Sequence, residues 1–176
     1  GKAVFVSDEQ VAPVTTPLLQ GMEFHLLWGT DTAAVFPDDG ARPAAHRYFP
    51  PRHGTRFAFF SIPPDDGPAL PEDLNLEAAL ADLSEKLPGL ADYAEPDDPG
   101  MHTTASIDYG VVLSGQATLE LDDGATVTLH PGDTYVQNGT RHRWSNSGDV
   151  PAILAVVLIG AEHRGIESHE PGDART

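Results

Sequence analysis

The sequence predicts an all-β chain, an antiparallel sandwich or barrel, and three observations carry that prediction. Beyond residue 105, short runs rich in Val, Ile, Leu, Thr and Tyr follow one another at nearly regular intervals, as strands of a meandering sheet do. Turn chemistry separates them: Ser114-Gly115, Asp122-Asp123-Gly124, Pro131-Gly132-Asp133 and Asn138-Gly139. Glycine and proline are frequent, at 17 and 16 of 176 residues, which suits many tight turns and few long helices.

The length is that of one domain, 1–176, large enough to bury a core. Residues 1–62 read as N-terminal strands. Ala3-Val4-Phe5-Val6 is a β-prone run ended by Ser7-Asp8-Glu9. In the stretch 22–28, Phe24, Leu26 and Trp28 alternate with other residues, the pattern of a strand with one buried face, and His25 falls on the opposite, exposed side. Gly29-Thr30-Asp31 turns the chain, 32–36 returns, and 56–62 is a further strand stopped by Pro63-Pro64. Residues 63–100 form a connector with one helix: Leu76, Leu80, Leu83 and Leu87 recur at helical spacing, Asp73 or Asn75 caps the start, and Pro88-Gly89 ends it. A connector of that length suits a lid or an oligomer contact. Within 101–160 the strands fall at 107–113, 117–121, 126–129, 134–137, 141–144 and 152–159. The last is apolar on both faces, so it belongs at the centre of a sheet or under cover. Residues 161–176 read as a polar tail, with His163 and His169 outside the fold.

Charge and composition exclude several functions. The net charge is −17, from 27 acidic against 10 basic residues, a field that repels nucleic acid and anionic lipid. No run of eighteen apolar residues and no basic-then-apolar N-terminus is present, so a soluble, cytoplasmic protein is expected. Cysteine is absent, which removes disulfides, thiolate nucleophiles and Cys-ligated metals together. Four of the eight arginines, Arg42, Arg47, Arg52 and Arg56, cluster with His46 and His53. Two readings stand: a solvated loop, or a site for an anionic ligand or an acidic partner surface.

Candidate chemistry lies in 99–115 and 131–146. His102, Thr104 and Asp108 are an even number of residues apart, so in an extended strand they share a face. His142 sits on a return strand. Pairing of the two pieces brings His102, Asp108 and His142 together. Trp28, Phe57, Phe59 and Trp144 are either lining for an apolar pocket or core.

These two pieces resemble the paired motifs of the cupin superfamily. The first motif runs His-x-His, three or four residues, Glu, six residues, Gly; His102, Asp108 and Gly115 fall on its first, third and last places, and Thr104 stands where the second His belongs. In the second motif Gly132, Gly139, His142 and Asn146 match, while Gln137 replaces Pro with one spacer residue fewer. The resemblance implies a double-stranded β-helix, a jelly-roll barrel, and a homodimer. It also implies a divalent ion (Fe, Mn, Zn or Ni) held by His102, Asp108 and His142, acting on a small organic substrate by O₂ activation or as a Lewis acid. Oxygenase, isomerase and cyclase chemistry all fall within that range. Thr104, Gln137 and Trp144 would line the substrate pocket. The alternative uses the same residues without metal, with His102 or His142 as general base, Asp108 orienting it and Tyr135 or Tyr109 as acid, Tyr109 having the opposite parity from Asp108; or as a binding module or a residual polar cluster.

Overall fold

The computed structural model describes residues 2–43, 45–67 and 69–166. It is all-β in the manner expected, two antiparallel sheets of jelly-roll type with one short helix in the connector. In chain order the strands are β1 (Phe24–Thr30), β2 (Thr55–Ile62), β3 (Ser106–Ser114), β4 (Ala117–Glu120), β5 (Thr126–Leu129), β6 (Thr134–Asn138), β7 (Arg143–Ser145) and β8 (Ala152–Gly160), with α1 (Leu76–Lys86) between β2 and β3. One sheet has the order β1-β2-β8-β3-β6, the other β5-β4-β7.

Alternation sets the core between these layers. Ile62, Val112, Ala152 and Leu154 point in from the five-stranded sheet and meet Ala117 and Leu129 from the other, with Phe60, Tyr135 and Trp144 against them. β8 pairs with β2 on one side and β3 on the other, which is why its sequence is apolar on both faces. Its inward residues Ala152, Leu154, Val156 and Leu158 are buried. The turns have the backbone their residues favour. Asp123 and Gly124 both take positive φ, 58° and 71°, and reverse the chain from β4 into β5. Gly115 has φ 70°, and a Cβ there would stand 2.6 Å from the Pro151 carbonyl oxygen.

Helix α1 starts where its cap dictates: the Asn75 side chain accepts a hydrogen bond from the Ala78 amide at 3.0 Å. It ends at Leu87, whose amide still bonds the Leu83 carbonyl before Pro88-Gly89, with Gly89 at φ 82°. The buried stripe is Ala79, Leu83 and Leu87, packed on Phe24 and its neighbours, while Leu76 and Leu80 are exposed. Of the four leucines that the sequence puts on the stripe, Leu83 and Leu87 are buried, and Ala79 extends the buried face instead of Leu76 and Leu80.

Several expectations change. Residues 3–6 and 32–36 form no strand; Val4, Phe5, Val35 and Phe36 are exposed, β-prone residues without a partner chain to pair with. A register shift between Leu26 and Trp28 turns Trp28 off the inward face shared by Phe24 and Leu26, leaving it exposed beside Phe57. His163 is not in a free tail: its Nε2 lies 3.0 Å from the Gly139 carbonyl. His169 lies outside the described residues. Among the described residues no helix is long and apolar enough to cross a membrane.

Candidate functional site

His102 and His142 form an isolated two-residue ladder. Each donates its backbone amide to the other's carbonyl at 3.0 Å, and the two rings lie side by side with centroids 4.3 Å apart. The Nδ1 atoms are spoken for: that of His102 is 3.0 Å from the Gly100 carbonyl and that of His142 is 2.9 Å from the Thr140 carbonyl. A carbonyl only accepts, so in the neutral ring the proton sits on Nδ1 and the lone pair on Nε2. Neither Nε2 has a protein partner among the described residues. A strap before His102 sets this geometry. Arg141 ties Glu95, Asp98 and Asp122 together, and Arg143 ties Asp98 to Glu120, so the turn that carries Gly100 is held against β4 and β7.

Asp108 approaches from the other sheet. Thr104, Ser106 and Asp108 point the same way, as their even spacing requires, and they are joined in a chain: Thr104 Oγ1 to Ser106 Oγ at 3.0 Å, then Ser106 Oγ donating to Asp108 Oδ1 at 2.7 Å. The chain crosses between sheets at 103–105. His102 therefore pairs beside β7, whereas Asp108 belongs to β3 and the five-stranded sheet. His102, Asp108 and His142 nevertheless line one cavity of about 260 Å³. Its remaining wall is apolar and aromatic, including Met22, Phe24, Tyr48, Phe60, Tyr135 and Trp144, and contains no Lys or Arg.

Burial governs the ionisation of these groups. It lowers His142, helped by the neighbouring His102, to about 4. It lowers His102 as well, against the opposing pull of the Gly100 carbonyl and Glu95. It raises Asp108 to about 6 although the Ser106 hydroxyl favours the carboxylate. Both tyrosines rise above the ordinary phenol range through burial and the nearby Asp108. At neutral pH the cavity holds two uncharged imidazoles.

The divalent ion implied by the sequence motifs meets a partial donor set. The two Nε2 atoms suit a metal, since ligating imidazoles commonly donate the other N–H to a carbonyl. A third donor is lacking: no group of three His, Asp or Glu side chains among the described residues is placed to hold an ion. Asp108 is engaged by Ser106 and retains its proton more readily than a free carboxyl. Thr104 is buried behind this chain and Gln137 turns its amide to the Thr140 carbonyl and hydroxyl. Neither lines the cavity, contrary to expectation, whereas Trp144 does. Tyr48 is not among the candidates because it lies in a Pro- and Arg-rich stretch without strand pattern, whereas Tyr135, a candidate acid in the sequence, does line the cavity. The signal for Tyr135 is Gly110, a glycine within a strand.

The basic cluster surrounds a second cavity of about 250 Å³, whose wall includes Trp28, Arg42, Arg47, Arg56, Phe57 and Lys86. Arg56 is no wet surface group. It is buried, it pairs with Asp31 at 2.5 Å, and it donates to the Arg47, Thr30 and Thr55 carbonyls. Arg47 pairs with Asp92, Lys86 with Asp82, and Arg52 with Glu162; Arg42 donates to the Leu26 carbonyl. His46 offers its amide to Asp31.

Against known proteins, the family model described as the cupin domain matches residues 90–158. Residues 90–158 of this chain are a cupin domain. Curated relatives include a cupin-domain-containing oxidoreductase, fogC, of Aspergillus ruber, 34% identical over 88 residues, or 48% of this chain and 43% of that protein. The phomopsin biosynthesis cluster protein D of Diaporthe leptostromiformis is 56% identical over 67 residues, 38% of this chain and 35% of the relative. The oryzines biosynthesis cluster protein J of Aspergillus oryzae is 40% identical over 84 residues, 47% of each. The chain spans about a third to a half of the length of the curated relatives it matches. Among solved structures, a predicted oxalate decarboxylase of Thermotoga maritima superposes with a TM-score of 0.48 at 16% identity, covering 89% of this chain and 99% of that one. A cupin 2 conserved barrel domain protein of Salinispora arenicola gives 0.45 at 15%, covering 88% and 92%.

Proposed function

We propose that this protein is an enzyme that binds a small, uncharged, largely apolar organic molecule in the aromatic cavity and moves a proton on it with the His102–His142 pair. The observation that supports this reading is the pinned tautomer: two imidazoles with Nδ1–H on carbonyls and both Nε2 lone pairs unspent at the wall of one cavity. A neutral imidazole can take a proton from a bound molecule and return it elsewhere, which is isomerase or cyclase chemistry and needs no redox partner. Asp108, with its raised affinity for protons, is a neighbouring acid. The lining favours an uncharged ligand because an anion would find no cation and would face Asp108. Several relatives are proteins of biosynthesis clusters, in keeping with a small-molecule substrate.

A second reading has its own observation. The same two Nε2 atoms are a nitrogen pair suited to a divalent ion, and relatives named as oxidoreductases make redox chemistry relevant. An ion held there with help from Asp108 would supply Lewis-acid or redox chemistry.

One experiment separates the two. Elemental analysis of untagged protein, with His102→Ala and His142→Ala beside it, is combined with ligand-detected NMR against neutral and anionic aromatic fragments. The acid–base reading expects metal far below stoichiometry after reconstitution with Fe, Mn, Zn or Ni and binding confined to neutral fragments. Near-stoichiometric metal lost in both variants overturns it in favour of the metal reading, and a preference for anions overturns the ligand class.

A further inference from the structure

Two hydroxyls in the cavity have no task in the proton transfer just described. Tyr48 and Tyr135 are positioned by their rings. Tyr48 meets Phe24 and Phe49 edge-on at centroid separations of 5.7 and 4.9 Å, and Tyr135 leans on Trp144 at 4.8 Å. Among the described residues neither hydroxyl has a hydrogen-bond partner. Both residues are half-buried and line the cavity, so each hydroxyl is a donor open to something that enters it.

Gly110 fixes where the Tyr135 hydroxyl lies. Gly110 on β3 and Tyr135 on β6 are directly paired across the sheet. A Cβ on Gly110 would stand 2.2 Å from Tyr135 Cζ and 2.4 Å from its hydroxyl oxygen. The ring therefore lies flat over bare backbone, folded back along the sheet, with its hydroxyl at the inward position that follows Asp108. Both phenols line the same cavity as Asp108, and the Tyr135 ring lies over the inward position that follows Asp108 on β3. The polar groups of the cavity thus fall into two sets: a pair of nitrogen lone pairs beside β7, and a pair of O–H donors beside Asp108.

We propose that Tyr48 and Tyr135 form a two-donor seat for one oxygen of the bound molecule, and that the ligand class is an uncharged, mainly hydrocarbon ketone with an enolisable position. This rests on the acid–base reading of the site. The ketone oxygen accepts from the two phenols while a proton on the adjacent carbon faces a histidine Nε2. Transfer of that proton to Nε2 breaks the C–H bond, its electron pair forms the C=C bond, and the carbonyl π pair moves to the oxygen held by the tyrosines. Where a C=C bond adjoins that carbon, the electron pair extends through it as a dienolate, and return of the proton to the far carbon of that bond re-forms the C=O bond and gives the conjugated isomer of the same composition, with no oxidant or reductant consumed. The tyrosines hold charge that develops on oxygen, and the histidines carry the proton.

The test uses 1-tetralone, a bicyclic aromatic ketone, and tetralin, its hydrocarbon counterpart without the oxygen. Isothermal titration is run on wild type, Tyr48→Phe, Tyr135→Phe and Gly110→Ala. 1-Tetralone is expected to bind more tightly than tetralin. Each Tyr→Phe change lowers tetralone affinity about five- to tenfold, the range of one lost hydrogen bond, and leaves tetralin unchanged. Gly110→Ala lowers tetralone affinity at least as far, because the added methyl displaces the Tyr135 ring. The infrared C=O stretch of bound tetralone sits below its frequency in alkane and moves back up in both Tyr→Phe variants. Equal binding of the two ligands, or affinity and frequency untouched by both Tyr→Phe changes, overturns the seat. Binding of neither ligand overturns the cavity reading beneath it. Tetralone that binds as expected but exchanges its α-hydrogens with D₂O no faster than in buffer overturns the proton transfer and leaves the seat standing.

Discussion

The two cavities share Tyr48 and Leu158 in their walls and differ little in size, about 250 and 260 Å³, yet their chemistry is opposite. The one ringed by Arg42, Arg47, Arg56 and Lys86 carries four positive charges in a strongly acidic protein, and on charge alone it would be the place to look for a ligand. Its cations are already committed. Arg56 spends donors on three carbonyls and Asp31, Arg47 and Lys86 have carboxylates, and Arg42 has a carbonyl. The aromatic cavity has no cation, but its imidazole nitrogens and phenol hydroxyls are unspent. What distinguishes a site from a structural knot here is hydrogen-bonding capacity left over after folding, and charge is a poor guide to it.

The sharpest way to break that contrast is Arg56→Met. It leaves Asp31, itself largely buried, without its partner, and such removals cost about 3–5 kcal/mol. Urea denaturation is expected to show a loss of that order with ligand binding in the aromatic cavity preserved under folded conditions. A loss below about 1 kcal/mol would place Arg56 with the solvated cations.

The pH dependence of stability sharpens the other side. Folding raises Asp108 from 3.8 to about 6, so its proton stabilises the fold and that contribution fades as pH rises through this interval. Folding lowers His142 from 6.5 to about 4, so stability is lost as pH falls through that interval. The two slopes oppose each other between pH 4 and 6, each at most about 1.4 kcal/mol per pH unit. Asp108→Asn leaves the histidine slope, and stability then climbs with pH across the window. His142→Gln tilts the profile toward decline. Denaturant midpoints at pH 4, 5 and 6 check this, and parallel profiles for the two variants would contradict the assignment.

Smaller still is Arg47→Gln. Its pair with Asp92 is partly exposed, and such pairs contribute about 1 kcal/mol or less. A thermal shift barely above error is expected, with tetralone affinity unchanged. A clear effect on that affinity would join the two cavities functionally.

Much of the fold was legible from residues 106–160, where alternation and turn dipeptides agree: Asp122-Asp123-Gly124 and the doubly apolar strand that became β8 both took the places that their chemistry demands. The N-terminal part was less legible, since β propensity says what a run tolerates and not whether a partner strand is near. Hence 3–6 and 32–36 stay unpaired. The bulge before Trp28 reversed its face for a reason no single strand reveals. For the site, parity put Thr104 with Asp108, but the change of sheet at 103–105 separated Asp108 from the histidine pair. Tyr48 was hidden because it sits in an irregular segment, whereas Tyr135 was legible as a candidate acid but not in its place, which depends on a cross-strand glycine whose register only the fold supplies.

The overlap of Tyr135 with Gly110 also constrains the order in which this pocket can change over descent. A side chain at 110 displaces the ring at 135 and so spoils the seat while the tyrosine is still there, whereas loss of the aromatic first leaves a tolerable void. The seat can be dismantled from the tyrosine side, but rebuilding it requires the glycine to return first. A lineage that fills 110 has therefore closed the short route back to this pocket.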